Sequence, residues 1–311
     1  VNRKEALSHM IPPGKVRDKK PAGGVVQIHL TRACDNACFG CTQGSNLNGK
    51  CSFISLENFE LACKSLKNYF GTVGVFGGNP ALHPRFPEIC EILASNIPFE
   101  RRGVWCNNPR GHGRTMRETF NPSCSNLNVH LSREAYDEFK RDWPESRPFG
   151  LHDDSRHSPP YVAMQDVVHD ESERWDMISN CDINQYWSAM ICEIHGELRG
   201  FFCEIAGAQS ILHQYDDGYP DLGVSVSDDW WKAGMEDFSR QVDYHCHACG
   251  VPLRGHGALA CGSNEIEQTS ETHLGIYNPK KKDRLVELVT CRDQLGDTVE
   301  KSTDYMGNAR R

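Results

Sequence analysis

Three cysteines within eight residues, Cys34, Cys38 and Cys41, follow an apolar run, Val25-Val-Gln-Ile-His-Leu30. No other stretch restricts the fold as much. Three thiolates spaced Cys-x3-Cys-x2-Cys on a loop after a strand can hold three irons of a [4Fe–4S] cluster, which leaves the fourth iron open to a small molecule. Zinc is the competing occupant; it needs a fourth ligand, for which His29 or Cys51 can be proposed.

The flanking sequence alternates strand and helix signals. A helix is expected over Ser55–Phe70, with Leu56, Phe59, Leu61, Cys63, Leu66 and Phe70 at face or edge positions, Ser55 as N-cap and Gly71 as stop. Strands are expected at Thr72–Phe76, Gly103–Cys106, Leu127–Leu131 and Tyr161–Met164, with helices at Phe86–Ser95 and Arg133–Arg141 between them. Such alternation implies parallel strands joined by right-handed crossovers, whose carboxyl ends share one rim. That rim would carry the cysteine loop, Gly77-Gly78, Asn107-Asn108, Ser132 and Gln165, where barrel enzymes keep their chemistry. Five strands are clear in the pattern and a sixth is not.

The formal charge is −8, with basic residues gathered toward both ends and an acidic middle. This argues against a long duplex-binding track. An apolar content of 38% permits a sizeable core. No apolar run approaches the ~20 residues of a bilayer span, and no signal-peptide core is visible at the start, so a cytoplasmic protein without a membrane partner is expected. Fifteen cysteines in such a chain suggest thiolate ligands rather than a disulfide framework.

The Cys34-Asp-Asn-Ala-Cys38-Phe-Gly-Cys41 loop resembles the signature of the radical S-adenosylmethionine (SAM) superfamily. In that family the SAM amino and carboxylate groups chelate the open iron, and reductive cleavage yields methionine and a 5′-deoxyadenosyl radical. Gly77-Gly-Asn-Pro80 resembles the family's Gly-Gly-Glu-Pro segment, where glycines allow close backbone approach to the methionine end of SAM. Two departures stand out: Gly40 replaces the usual aromatic residue before the third cysteine, and Asn79 replaces the acid. The resemblance implies a partial (β/α)6 barrel over about 22–175; the arm before it (1–21), with Ile11-Pro-Pro-Gly and Arg17-Asp-Lys-Lys-Pro, reads as extended or loosely packed, either a solvated leader or a basic lip over a substrate. The resemblance also implies that Asn107 and Ser132 lie near SAM, although Ser132 can equally cap the helix after it. His152, Asp153, Asp154, Arg156 and His157 form a polar cluster read either as solvated loop or as substrate contact.

A second cysteine group follows. The segment from Tyr186 to Cys203 reads as a β-hairpin turning at His195-Gly196, followed by helices at about 204–213 and 236–242 and then by Cys246-His-Ala-Cys249. This resembles the twitch or shortened SPASM extension of radical SAM enzymes, here a small cysteine-rich α+β unit over 176–270 before a polar tail, 271–311. The resemblance implies an auxiliary [4Fe–4S] cluster on Cys181, Cys203, Cys246 and Cys249, although the interval from Gly196 to Cys203 is longer than the family pattern. Cys192 is an alternative to Cys181, Cys261 a further candidate, and zinc with His245 or His247 the competing reading. Trp187, Phe201-Phe202 and Trp230-Trp231 are expected in the core, and Cys51, Cys63, Cys90, Cys106, Cys124 and Cys291 as plain thiols.

The implied cofactors are SAM, its [4Fe–4S] cluster and the auxiliary cluster. The implied partners are a small-molecule or nucleotide substrate, with carbohydrates and nucleoside-type metabolites favoured, and an external electron donor such as flavodoxin or ferredoxin. A peptide-modifying enzyme, a zinc-binding protein and a two-cluster electron carrier remain open.

Overall fold

The computed structural model describes residues 1–16, 23–36, 38, 41–45, 47, 52–152, 160–255, 270, 272 and 273. Cys51, Asp153, Asp154, Arg156, His157, Cys261, Cys291 and most of the expected tail lie outside them.

The chain opens with α1 (Arg3–His9), where a loose arm was expected. Asn2 and Glu5 form a reciprocal capping box that satisfies two orphan N–H groups. Ala6, Leu7 and Met10 are buried, and Arg3 pairs with Asp243 at 2.7 Å. These contacts make the segment part of the body.

The central strand is β1 (Val25–Thr31), every residue of which is buried. A continuous apolar run of this kind suits a strand covered on both faces. Next come α2 (Leu56–Ser65), capped by Ser55, and β2 (Thr72–Gly77), which pairs parallel with β1. In α2, Phe59, Ala62 and Cys63 face the core, whereas Leu61 is 49% exposed, against expectation. Then follow α3 (Phe86–Asn96), β3 (Arg102–Val104, parallel to β2), α4 (Gly113–Thr119) and α5 (Arg133–Asp142).

Two expected strands do not form ladders. Around residues 127–131 only isolated parallel bridges form, Asn128 to Phe149 and, just before, Trp105 to Asn126. The physical reason is local: His130 (φ 45°) and Leu131 (φ 67°) take left-handed backbone, which ends any extended run. Tyr161–Met164 leads directly into α6 (Met164–Val167), and the Ala163 N–H donates to Ser270 Oγ instead of to a strand.

After α7 (Glu171–Ser179) and α8 (Asp182–Tyr186), the hairpin forms as β4 (Ser188–Ile194) and β5 (Glu197–Phe201). Positive φ at His195 and Gly196 gives the tight two-residue turn that matches strand twist. β4 pairs parallel with β1, so the hairpin extends the same sheet. The rest comprises α9 (Glu204–His213), β6 (Val224–Ser225, antiparallel to β5), α10 (Ser239–His245, starting later than expected) and α11 (Val251–Gly255). The result is a mixed α/β fold on a six-stranded sheet ordered β3-β2-β1-β4-β5-β6. Four of its strands are parallel, fewer than the six of the expected barrel. Trp187, Phe201, Phe202, Trp230 and Trp231 are buried, as are Cys63, Cys90 and Cys106, whereas Cys124 is partly exposed.

Candidate active site and second cysteine centre

At the carboxyl ends of β1 and β2 lies a partly open cleft. Cys34, Cys38 and Cys41 line it together with Gly77, Gly78 and Asn107. His29 sits within β1, away from this lining, and burial pushes its imidazole down to about 3. Desolvation, followed by the neighbouring Cys41, raises the Cys34 thiol to about 12. The Asn36 N–H donates to Cys34 Sγ at 3.4 Å.

The two glycines have a structural reason. A Cβ on Gly77 (φ 145°) would overlap the Thr31 carbonyl, and one on Gly78 the Ala33 carbonyl. Their absence of side chain lets the end of β2 lie against the backbone that leads into the cysteine loop. The Gly78 N–H donates to Thr31 O at 2.7 Å and the Asn79 N–H to Ala33 O at 2.6 Å.

Asn79 is fully buried but does not line the cleft. Its Nδ2 donates to Asp35 Oδ2 at 2.5 Å and to Asn108 O at 2.9 Å, while its Oδ1 accepts from the Ala81 N–H and from Cys106 Sγ. Arg110 reaches Asp35 from the other side at 3.3 Å. Asn79 therefore ties the cysteine loop to the ends of β2 and β3. An acid here would set two carboxylates against each other, which rationalises the amide. Pro80 starts the 3-10 turn that follows. Ser132 caps α5 by accepting from the Ala135 N–H, and it is absent from the lining. Gln165 also lies elsewhere, bonded to Thr272 and His247. His152 is exposed.

Residues that sequence reasoning did not select complete the cleft: Asn36, Gln43, Asn126, Asn128, His130, Trp105 and Phe149. His130 Nδ1 stands 3.9 Å from Cys38 Sγ. Gln43 Oε1, Asn107 Oδ1 and Trp105 Nε1 are buried with no hydrogen-bond partner among the described residues. Two unsatisfied acceptors and one donor beside three thiols suit a polar ligand carrying N–H and acceptor groups.

The second cysteine group converges as well. Cys181, Cys203, Cys246 and Cys249 line one small, largely apolar cavity, with Ile178, Ile183, Phe202 and Val251. Each stands at or next to a helix end: Cys181 is the N-cap of α8, Cys203 the N-cap of α9, Cys246 follows α10, and Cys249 precedes α11. Burial raises all four thiols; Cys203 is raised further by Cys181 and Cys249, Cys246 by the other three, and Cys249 by Cys181. Acting in the opposite sense, backbone N–H groups of Ile183 and Asn184 favour the Cys181 thiolate, that of Ala206 the Cys203 thiolate, and that of Val251 the Cys249 thiolate. Cys192 is fully buried in β4 and turned toward Gly207, outside the cavity. Neither histidine offers a simple ligand: His245 engages Gln209 and Ser210 through its two ring nitrogens, and His247 Nδ1 accepts from Arg174.

Among the described residues, no group of three or more His, Cys, Asp and Glu side chains has the close spacing of a formed metal site. The thiols line common cavities without being drawn together. An apolar chamber with four thiols nonetheless fits a group that supplies its own positive charge.

No family model matches this sequence, and no curated protein matches it. Among solved structures, BtrN in complex with AdoMet and 2-DOIA is similar at a TM-score of 0.41 and 11% identity, covering 89% of this chain and 91% of that one. SeMet BtrN in an open conformation is similar at 0.37 and 11%, covering 82% and 98%. Likeness of that degree carries no argument about this chain.

Proposed function

We propose that the chain is a radical SAM enzyme with an auxiliary iron–sulfur centre. The observation that carries this reading is the convergence of Cys34, Cys38 and Cys41 on a cleft at the carboxyl ends of parallel strands, beside unsatisfied polar atoms. A [4Fe–4S] cluster held by Cys34, Cys38 and Cys41 would supply one-electron reduction of SAM, and with it radical hydrogen abstraction from a substrate. The chain's own residues hold and orient. Asp35 and Asn79 fix the loop that carries the thiols, and Gln43 and Asn107 offer acceptors for the SAM ammonium group. Cys181, Cys203, Cys246 and Cys249 would hold the second cluster.

The lining favours one class of substrate over others. Asn36, Gln43, Asn107, Asn126 and Asn128 supply neutral carboxamides, and Trp105 and Phe149 supply flat apolar surface. None of the described lining residues is Lys, Arg, Asp or Glu. Burying an ionic group without a counter-charge is unfavourable, so a neutral hydroxyl- or base-bearing compound of carbohydrate or nucleoside type suits the cleft better than a phosphorylated one. An external flavodoxin- or ferredoxin-like donor would supply electrons. No helix among the described residues is long and apolar enough to cross a membrane.

The test is anaerobic reconstitution with iron and sulfide counting, on the parent and on Cys34→Ala/Cys38→Ala/Cys41→Ala, alongside dithionite-driven SAM cleavage. The expected result is about eight irons falling to about four, with cleavage lost. Zinc without iron in the parent overturns the reading.

A further inference from the structure

A further cleft opens where two helices finish, α9 at His213 and α10 at His245. It measures about 440 Å³, room for a small molecule, and shares no lining residue with the three-cysteine site. Part of its wall is aromatic. Tyr219 and Tyr244 meet edge to face, with 5.5 Å between ring centres and 88° between planes, and His213 stacks on Tyr219 at 5.5 Å and 26°. Two hydrogen bonds fix this wall: His213 Nδ1 is bonded to Asp216 Oδ2 at 2.7 Å, and the Tyr219 hydroxyl to Ser210 Oγ at 3.2 Å. Tyr244 leaves 47% of its surface to solvent, so part of its ring remains for a ligand to cover.

The charges of the cleft have one sign. Asp216 and Asp217 both line it, and none of its described lining residues is Lys or Arg. Asp216 is shared with His213, whereas Asp217 enters no ion pair among the described residues. The carboxyl ends of α9 and α10 add the negative end of the helix dipole, and neither helix carries Lys or Arg in its last turn to answer it. An anion therefore finds no counter-charge here, and a neutral ligand would leave the carboxylates unused. A metal ion needs closely grouped donors, and among the described residues no three His, Cys, Asp and Glu side chains are so placed. An ammonium group uses every feature: ring faces attract its charge and cover its alkyl surface, and a carboxylate balances it.

We propose that this cleft is a binding site for a small ammonium-bearing molecule, with Tyr219 and Tyr244 against the cationic head and Asp217 as the counter-charge. The site is distinct from the carboxamide-lined cleft assigned to the substrate, and it requires neither sulfur centre to be occupied.

Ligand-observed NMR titration of the full, anaerobically reconstituted chain at constant ionic strength provides the test. The probes are tetramethylammonium and n-butylammonium, each set against its uncharged counterpart, tert-butanol and n-butanol. At least one cation is expected to bind about tenfold more tightly than its counterpart, and Tyr244→Leu and Asp217→Asn each to weaken it about three- to tenfold. Both substituted residues are exposed, so the fold is expected to survive either change; if one variant unfolds, the other decides. Equal binding of cation and counterpart, or no binding of either cation, overturns the inference. So does selective cation binding that the folded variants leave unchanged, since the cation would then sit elsewhere.

Discussion

Asn79→Asp is the sharpest test of how the cysteine loop is held. The change is nearly isosteric, but it replaces an amide that donates to Asp35 at 2.5 Å and to Asn108 O at 2.9 Å with a second carboxylate. Two carboxylates ~3 Å apart repel by about 5 kcal/mol at an effective dielectric of 20. The pair can escape by binding a proton; for an ordinary aspartate titrating near 4, that costs about 4 kcal/mol at pH 7, at ~1.4 kcal/mol per pH unit. The smaller figure sets the loss, so Asn79→Asp is expected to be about 4 kcal/mol less stable at pH 7. The shared proton raises the pair's folded-state pKa above its unfolded value, so stability returns as pH falls, and the deficit shrinks to about 1–2 kcal/mol by pH 5. Urea unfolding at both pH values measures this. Asp35→Asn combined with Asn79→Asp restores one amide–carboxylate bond and should recover about half of the loss. A deficit below about 1 kcal/mol at pH 7, or one that does not change between pH 7 and pH 5, refutes the reasoning.

Gly78→Ala drives a Cβ into the Ala33 carbonyl; about 2–3 kcal/mol of stability should be lost, with iron uptake at the first site reduced in the same preparation. Cys63→Ser places an unsatisfied hydroxyl in the core and should cost about 1–3 kcal/mol with the iron count unchanged, whereas Cys203→Ala should lower the count by about four. The His29 imidazole, lowered to about 3 by burial, makes the unfolded chain bind more protons between pH 6.5 and 3. Acidification from pH 8 to pH 5 should therefore remove about 2 kcal/mol through this residue, and His29→Gln should flatten the stability profile by that amount. Arg3→Ala breaks a half-exposed ion pair with Asp243 and should change the urea midpoint by less than about 1 kcal/mol in free energy.

What could be read in advance follows from physical range. The β1 and β2 strands and the α2, α3 and α5 helices declare themselves through periodicity and caps within a few residues. Cys34, Cys38 and Cys41 stand out because their spacing is local, and Cys181 and Cys203 because they flank a hairpin; the structure brings each cysteine group to a common cavity. The pairing of β4 with β1 was not legible, since parallel register between distant segments leaves no mark on either one. Asn126, Asn128 and His130 escaped because a left-handed pair of non-glycine residues gives no periodic signal. The α1 helix did carry a signal, Asn2 three residues before Glu5, which the Ile11-Pro-Pro-Gly segment after it and its basic neighbours obscured.

The parallel join of β4 to β1 has a mechanical meaning. Val25 pairs with Ser188, and Met190 with Phe201, so the hairpin is entered from Cys181 and left toward Cys203 at the edge where β1 begins. The other cysteine loop leaves at the edge where β1 ends. The strand between them spans about 20 Å at ~3.3 Å per residue. A ladder hydrogen-bonded on both sides neither stretches nor folds, so the two sulfur centres are held at a fixed interval like marks on a rule. While the sheet is intact, the two groups of thiols cannot be drawn together along that strand.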